Sequence, residues 1–280
     1  MTIRYGIIKY MSSLGQRKGG VNKAPQILTD YVKSKCQKVT EYNIEPDHQI
    51  SAENIRDQVS ADCFSLSSFM KESLKNNDMT ITFGGDHSLG IGSVEGVLSY
   101  DPQTYVVWID AHADINTPER SLSGNMHGMP LAFNCNLTKN NLPWLNNVLD
   151  PSRLIYLGLR DVDDFEKEVI KEYNIMNYTA KETVYNLPDI LKEIRAHIGK
   201  NPVHVSLDVD AFDPSVIPST GTAVNGGLEL DHFTKIMEVI NERKKVRSID
   251  IVELNPEIGT SEEIKRSIEN SYKILDRIIV

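Results

Sequence analysis

Six short apolar runs, each ending abruptly in glycine, acidic or other polar residues, constrain this chain more than any other feature: TIRYGIIKY, MTITFGGDHS, TYVVWIDAHAD, RLIYLGLRDVDD, PVHVSLDVDAFDP and VRSIDIVELNP. Their hydrophobicity is nearly continuous rather than alternating, which a strand buried on both faces of a parallel sheet requires. Between them lie stretches with helical spacing at 182–198, 230–244 and 261–279. Strand and helix therefore alternate, and the order predicts an α/β fold with three layers, a mostly parallel sheet flanked by helices. No repeat, low-complexity tract or composition shift marks a linker, so a single domain over 1–280 is the simplest organisation. Segments 84–130 and 213–227 are rich in Gly, Asn, Ser and Asp and read as mostly loop. Loops that long in a compact domain are usually functional.

Charge and cysteine usage narrow the partners. Thirty Lys+Arg against thirty-nine Asp+Glu give a net charge of −9, with no basic block long enough to neutralise a row of phosphates. Nucleic acid is therefore not expected, and a small cationic substrate suits the balance better. Cys36, Cys63 and Cys135 are odd in number, widely spaced and free of any CxxC pair, which describes neither a disulfide framework nor a thiolate zinc site. No signal-peptide pattern opens the sequence, and no window reaches the roughly 18 apolar residues of a spanning helix. The expectation is a cytoplasmic protein that does not engage a membrane.

In an open parallel sheet the ligand site forms beyond the carboxyl ends of the strands, and the unusual polar clusters here fall at such ends. MTITF is followed by Gly84, Gly85, Asp86, His87 and Ser88; TYVVWI by Asp110, His112 and Asp114; HVSL by Asp208, Asp210 and Asp213; IDIV by Glu253. Residues i, i+2 and i+4 of an extended strand share a face, so Asp110, His112 and Asp114 can point into one pocket, as can Asp208 with Asp210. An isolated Asp at a strand end is commonly a helix cap, and GGDHS alone could be a turn whose glycines permit positive φ and close backbone approach. That simpler account weakens when DAHAD and DVDAFD occur in one chain, each after a buried strand. His48, His197, His204 and His232 have no such company and read as surface or packing residues.

Four converging aspartates and a histidine would raise one another's pKa values unless a cation neutralised them. With His87 added, the set of four carboxylates and two imidazoles matches two divalent ions. An oxygen-rich set without thiolate points to Mn²⁺ first, then to Mg²⁺, Co²⁺ or Zn²⁺. A water bridging two such ions is acidified towards neutral pH and becomes a hydroxide nucleophile, which implies metal-assisted hydrolysis.

GGDHS, DAHAD and SLDVDAFDPS resemble the three signatures of the ureohydrolases, and within them of the arginases, and the likeness runs from GQRKGGV at Gly15 to the helix after Glu253. The resemblance implies an α/β fold, two Mn²⁺ per chain, assembly as a homo-oligomer, commonly a trimer, and hydrolysis of L-arginine to L-ornithine and urea. It assigns His87, Asp110, Asp114 and Asp208 to the more buried and bridging metal positions, with His112 and Asp210 completing the pair. Asn116, Ser123 and Asn125 would hold the substrate α-carboxylate, Asp163 the α-amino group with Asp161 and Glu166 nearby, and Thr222 and Glu253 the rest of the substrate. Asp114, His127 and Glu253 would carry the catalytic roles. Neutral amide and hydroxyl donors do suit a carboxylate, and acids suit an ammonium or a guanidinium. Asp164 and Phe165 stand where the family often has Pro and Gly, and Ala223 stands where Pro is usual. The alternatives are an agmatinase or another ureohydrolase of a related guanidino substrate, or a catalytically silent arginine-binding homologue.

Overall fold

A computed structural model describes residues 2–46, 55–242 and 244–279. Among these residues eight strands, β1 (Tyr5–Tyr10), β2 (Val39–Ile44), β3 (Met79–Gly84), β4 (Tyr105–Ile109), β5 (Leu154–Leu159), β6 (Met176–Thr179), β7 (Val203–Asp208) and β8 (Val246–Val252), form one sheet in the order β2-β1-β3-β8-β7-β4-β5-β6. Every pairing among them is parallel. The helices are α1 (Ala24–Lys35), α2 (Ile55–Asn76), α3 (Gly90–Tyr100), α4 (Pro130–Asn134), α5 (Asp164–Glu172), α6 (Ala180–Ile198), α7 (Leu230–Ile240) and α8 (Ser261–Ile278).

Strand alternation sorts the core into two layers. Ile7, Val107, Ile155 and Val205 point to the face covered by α1, α6, α7 and α8. Ile8, Val106, Leu154 and Trp108 point to the face covered by α2, α3, α4 and α5. Both faces of the inner strands are thus dry, which is why those strands read as unbroken apolar runs. No helix among the described residues is long and apolar enough to cross a membrane.

Three features differ from the sequence expectation. β2 and β6 are additional strands; both lie at sheet edges and are only half-buried, so neither carries a continuous apolar signature. Segment 84–130 is not mostly loop, because it contains β4 and the whole of α3. The glycines that suggested a loop are there for packing: a Cβ on Gly92 would lie 2.3 Å from the Cys63 carbonyl oxygen, and one on Gly96 would lie 2.6 Å from Met70 Cβ. They let α3 press directly on α2. Finally, α7 stops at Ile240 rather than continuing to 244. Segment 213–227 is built of turns and bends, as expected.

The histidines set aside above behave as packing and surface groups. His204 is fully buried, its ring nitrogens 2.9 Å from Ser248 Oγ and 3.1 Å from Asp250 Oδ2. His232 Nδ1 accepts from Glu229 N–H at the start of α7, and His197 sits at the surface on the Ser152 carbonyl. His48 lies outside the described residues.

Candidate metal centre and substrate pocket

The four central strands β3, β8, β7 and β4 lie side by side, and their carboxyl ends bring the acidic motifs together. After β3, Asp86 caps a one-turn 3-10 helix (His87–Leu89), its carboxylate accepting from Ser88 N–H at 3.0 Å. The capping account is therefore right for Asp86, while His87 turns inward and is 1% exposed. Gly85 makes the approach possible: its N–H donates to Tyr10 O at 2.8 Å, and a Cβ there would lie 1.7 Å from Ser12 O. Neither twin glycine has positive φ, so close approach alone explains them. Gly85→Ala is expected to cost about 1–3 kcal/mol, read as a lower thermal midpoint. An unchanged midpoint would show that the β1–β3 junction yields freely.

DAHAD does not continue β4. The strand stops at Ile109, and Asp114 adopts φ 50°, as Glu253 adopts φ 65° beyond β8. Left-handed backbone at a non-glycine residue costs roughly 1–3 kcal/mol and persists only where its surroundings impose it. The three side chains thus converge through a turn, not through the expected alternation along an extended strand.

The convergence itself is tight. His87 Nδ1 lies 3.1 Å from Asp110 Oδ2, 3.0 Å from Asp114 Oδ2 and 3.3 Å from Asp208 Oδ2. His112 Nδ1 lies 3.4 Å from Asp110 Oδ1 and 3.1 Å from Asp210 Oδ2. Candidate ligand atoms form two groups, His87 with Asp110 and Asp114, and Asp110 with His112 and Asp210, each within 4.8 Å. Asp110 belongs to both and turns one oxygen to each. Asp208 joins them, because its second oxygen accepts from Asp210 N–H at 2.8 Å.

Burial and neighbouring charges pull the groups of the cluster in opposite directions. Burial pushes Asp114 up to about 6, with the Asp110 charge adding to the effect, and raises Asp208 and Asp210 as well. Asp110 goes the other way: burial opposes its charge, but His112 and His87 outweigh it and hold the carboxyl below its usual range. Burial would discharge His87, yet Asp110, Asp114 and Asp208 together keep its pKa well above the ordinary imidazole value.

The donor set fits divalent cations. His87 Nδ1 is buried without a well-directed hydrogen bond although three carboxylate oxygens surround it, and Nε2 lies 2.9 Å from Ser206 Oγ. If Nε2–H donates to Ser206, the Nδ1 lone pair faces carboxylates, an arrangement that a cation between them would satisfy. The second layer is in place: Trp108 Nε1–H donates to Asp110 at 3.0 Å, and the Thr222 hydroxyl donates to Asp210 at 2.8 Å. No cysteine belongs to either group.

Above the cluster opens a cavity of about 290 Å³, near the lower end of the usual range of roughly 300–1,000 Å³ for ligand sites. Asp114, His112, Asp208 and His127 line it, together with Asn116, Ser123 and Asn125 from one loop, Asp161, Asp163 and Glu166 from another, and Thr222. Several of these groups are already engaged. Asn116 Nδ2 donates to Asp163 Oδ2 at 2.9 Å, and Glu166 accepts from Ile115 N–H and Asp163 N–H, which binds the two loops together. Burial pushes Glu166 up to about 7. Ser123 is exposed, its Oγ accepting Asn125 N–H at 3.2 Å, and Asn125 is half-buried with no side-chain hydrogen bond among the described residues. Deeper, Glu253 is 1% exposed and its Oε1 accepts from His87 N–H at 3.0 Å and from His127 Nδ1 at 3.1 Å. Burial opposes charge on His127, but the Glu253 contact outweighs it and lifts the imidazole to about 9.

The sequence reading did not single out Gln16, Ser206, Trp108 or Arg160. Gln16 Nε2 donates to Glu253 Oε2 at 2.7 Å. The Arg160 guanidinium donates to carbonyls of Gly158, Asp210, Ala211, Phe212 and Val224, tying β5 to the 211–224 loop. Alternation along β7 could have placed Ser206 beside Asp208, since both lie two residues apart on one face. Gln16 had no local signal, because its partner lies 237 residues away.

The arginase-family sequence model matches residues 5–276. The arginase of Coccidioides immitis is 42% identical over 223 residues, covering 74% of this chain and 69% of that protein. Rabbit (Oryctolagus cuniculus) arginase-1 is 33% identical over 294 residues, covering 96% of this chain and 90% of that protein. Among solved structures, Entamoeba histolytica arginase in complex with L-ornithine superposes with a TM-score of 0.88 at 29% identity, covering 98% of each chain. A match over nearly the whole sequence, the parallel eight-stranded sheet and the carboxylate–imidazole cluster at its carboxyl end lead to one conclusion: this chain belongs to the arginase family.

Proposed function

We propose that the protein is an arginase, hydrolysing L-arginine to L-ornithine and urea, with residues 1–280 acting as one catalytic domain. The observation that carries the reading is the pair of three-residue ligand groups sharing Asp110 beneath a cavity whose rim offers Ser123 and Asn125. His87, Asp110, Asp114, Asp208, His112 and Asp210 would hold two divalent ions, with Mn²⁺ favoured by oxygen-rich donors that include no thiolate. When bound, such ions supply charge that brings a coordinated water close to ionisation at neutral pH.

The chain's own residues do the remainder. Ser123 and Asn125 receive the α-carboxylate, and the acids at 161 and 163 receive the α-ammonium. Glu253 accepts from the guanidinium and holds its carbon over the cluster, since a resonance-stabilised electrophile needs exact placement. The bond from the guanidinium carbon to the chain nitrogen breaks, water supplies the urea oxygen, and both water protons finish on the departing amine. Asp114 takes the first proton, and His127, held by Glu253, relays a proton to the amine. The proposal extends to a cytoplasmic homotrimer, supported by the family resemblance and, for the compartment, by cysteine usage without a disulfide pattern.

Urea release from L-arginine, measured with and without added Mn²⁺, tests the reading, and a metal-loaded protein that releases none would sink it. The proton-relay role has its own test. His127→Asn is expected to lower turnover by roughly 10- to 10⁴-fold while metal content stays unchanged by elemental analysis. Loss of metal with undiminished activity per metal would make His127 a ligand instead.

A further inference from the structure

We infer that residues 15–20 form a strap that sets the distance between the two ends of the bound substrate, with Gln16 and Arg17 as its positioning residues. This deepens the arginine-hydrolysis reading and rests on it. Consecutive residues of the strap reach separate parts of the site. Gly15 N–H donates to Asp86 Oδ2 at 2.9 Å, and Gly15 O accepts from His127 N–H at 3.1 Å. Gln16 Nε2 donates to Glu253 Oε2 at 2.7 Å, and Arg17 Nη2 donates to the Ser123 carbonyl at 3.1 Å. Lys18 Nζ donates to Gly221 O, and Gly19 O accepts from Asn255 Nδ2 at 2.9 Å.

Gln16 acts on the guanidinium end. A carboxylate has about four acceptor positions, and on Glu253 one oxygen already takes His87 N–H and His127. The other oxygen takes only Gln16 among the described residues, which leaves it a free lone pair and fixes the plane in which that lone pair points. Arg17 acts on the carboxylate end, because the carbonyl it holds belongs to Ser123 on the pocket rim. Neighbouring Cα atoms are about 3.8 Å apart and the peptide between them is planar. With Gly15 and Gly19 anchored on either side, the two ends cannot shift independently.

L-Ornithine separates the two roles, since it keeps the α-amino acid end and lacks the guanidinium. Gln16→Leu is expected to raise KM for L-arginine by about 10- to 100-fold, since a small misplacement of a substrate-positioning group can cost about 10²-fold, while the calorimetric affinity for L-ornithine stays within about twofold. Gln16→Met, which preserves side-chain length, should behave alike, and melting curves check that both variants fold. Arg17→Ala is expected to weaken arginine and ornithine equally, by about threefold, as an exposed charge-assisted contact would. Equal weakening of both ligands by Gln16→Leu, or no change in arginine KM, would overturn the inference. If the unmodified protein binds neither ligand, the hydrolytic reading falls first and the strap's role falls with it.

Discussion

Replacing Asp208 by alanine is expected to strip metal from the protein and lower kcat/KM for L-arginine by at least about 10²-fold. Disturbing even an outer partner of a metal ligand costs roughly 10- to 100-fold, and Asp208 stands closer than that. One of its oxygens lies 3.3 Å from His87 Nδ1, and the other accepts the Asp210 amide at 2.8 Å. Its loss removes charge from the junction of the two ligand groups and releases the backbone that aims Asp210. Asp208→Asn keeps the shape, though its amide can still serve as acceptor on one side only, so the metal deficit should persist. Elemental analysis paired with urea release decides the matter. A variant that is metal-free and fully active would end the dinuclear argument.

The second large effect concerns substrate choice. Unmodified protein should prefer L-arginine to agmatine by a kcat/KM ratio of at least on the order of 10², because a site with polar groups placed for a carboxylate leaves them unpaired against an analogue without one. Full rejection can reach about 10⁴-fold; a solvated rim softens it, since water can substitute for the missing partner. Asn116 gives one N–H to Asp163 and Glu166 accepts two backbone N–H groups between the loops, while Ser123 and Asn125 line the cavity beside them, the Ser123 Oγ accepting Asn125 N–H at 3.2 Å. Asn125→Ala should therefore shrink the ratio by harming arginine more than agmatine. Comparable efficiencies on both substrates in the unmodified protein would promote the agmatinase alternative.

Much of the fold was legible because the inner strands are buried on both faces, and that requirement writes itself into nearly continuous apolar runs such as YVVWI and LIYLGL. The edge strands β2 and β6 escaped because one side of each meets solvent, which removes the pressure for continuous hydrophobicity. Helix α3 escaped for a different reason: its glycines lower helix propensity, and only tertiary packing explains them, α2 pressing on Gly92 and Gly96 and Trp108 on Gly90.

The candidate site divides along the same line. Which residue types cluster was determined locally, since Asp110, His112 and Asp114 are covalent near-neighbours, as are Asp208 and Asp210, and buried acids in such density call for cations. How they meet was decided only in three dimensions. The left-handed turn at Asp114, the bond between Asn116 and Asp163, and the reach of Gln16 to Glu253 across 237 residues depend on neighbours brought together by the parallel sheet. Short-range chemistry leaves a pattern in sequence because chain connectivity enforces it. Contacts between distant segments leave none, because the geometry that creates them belongs to the packed sheet and not to the adjoining residues.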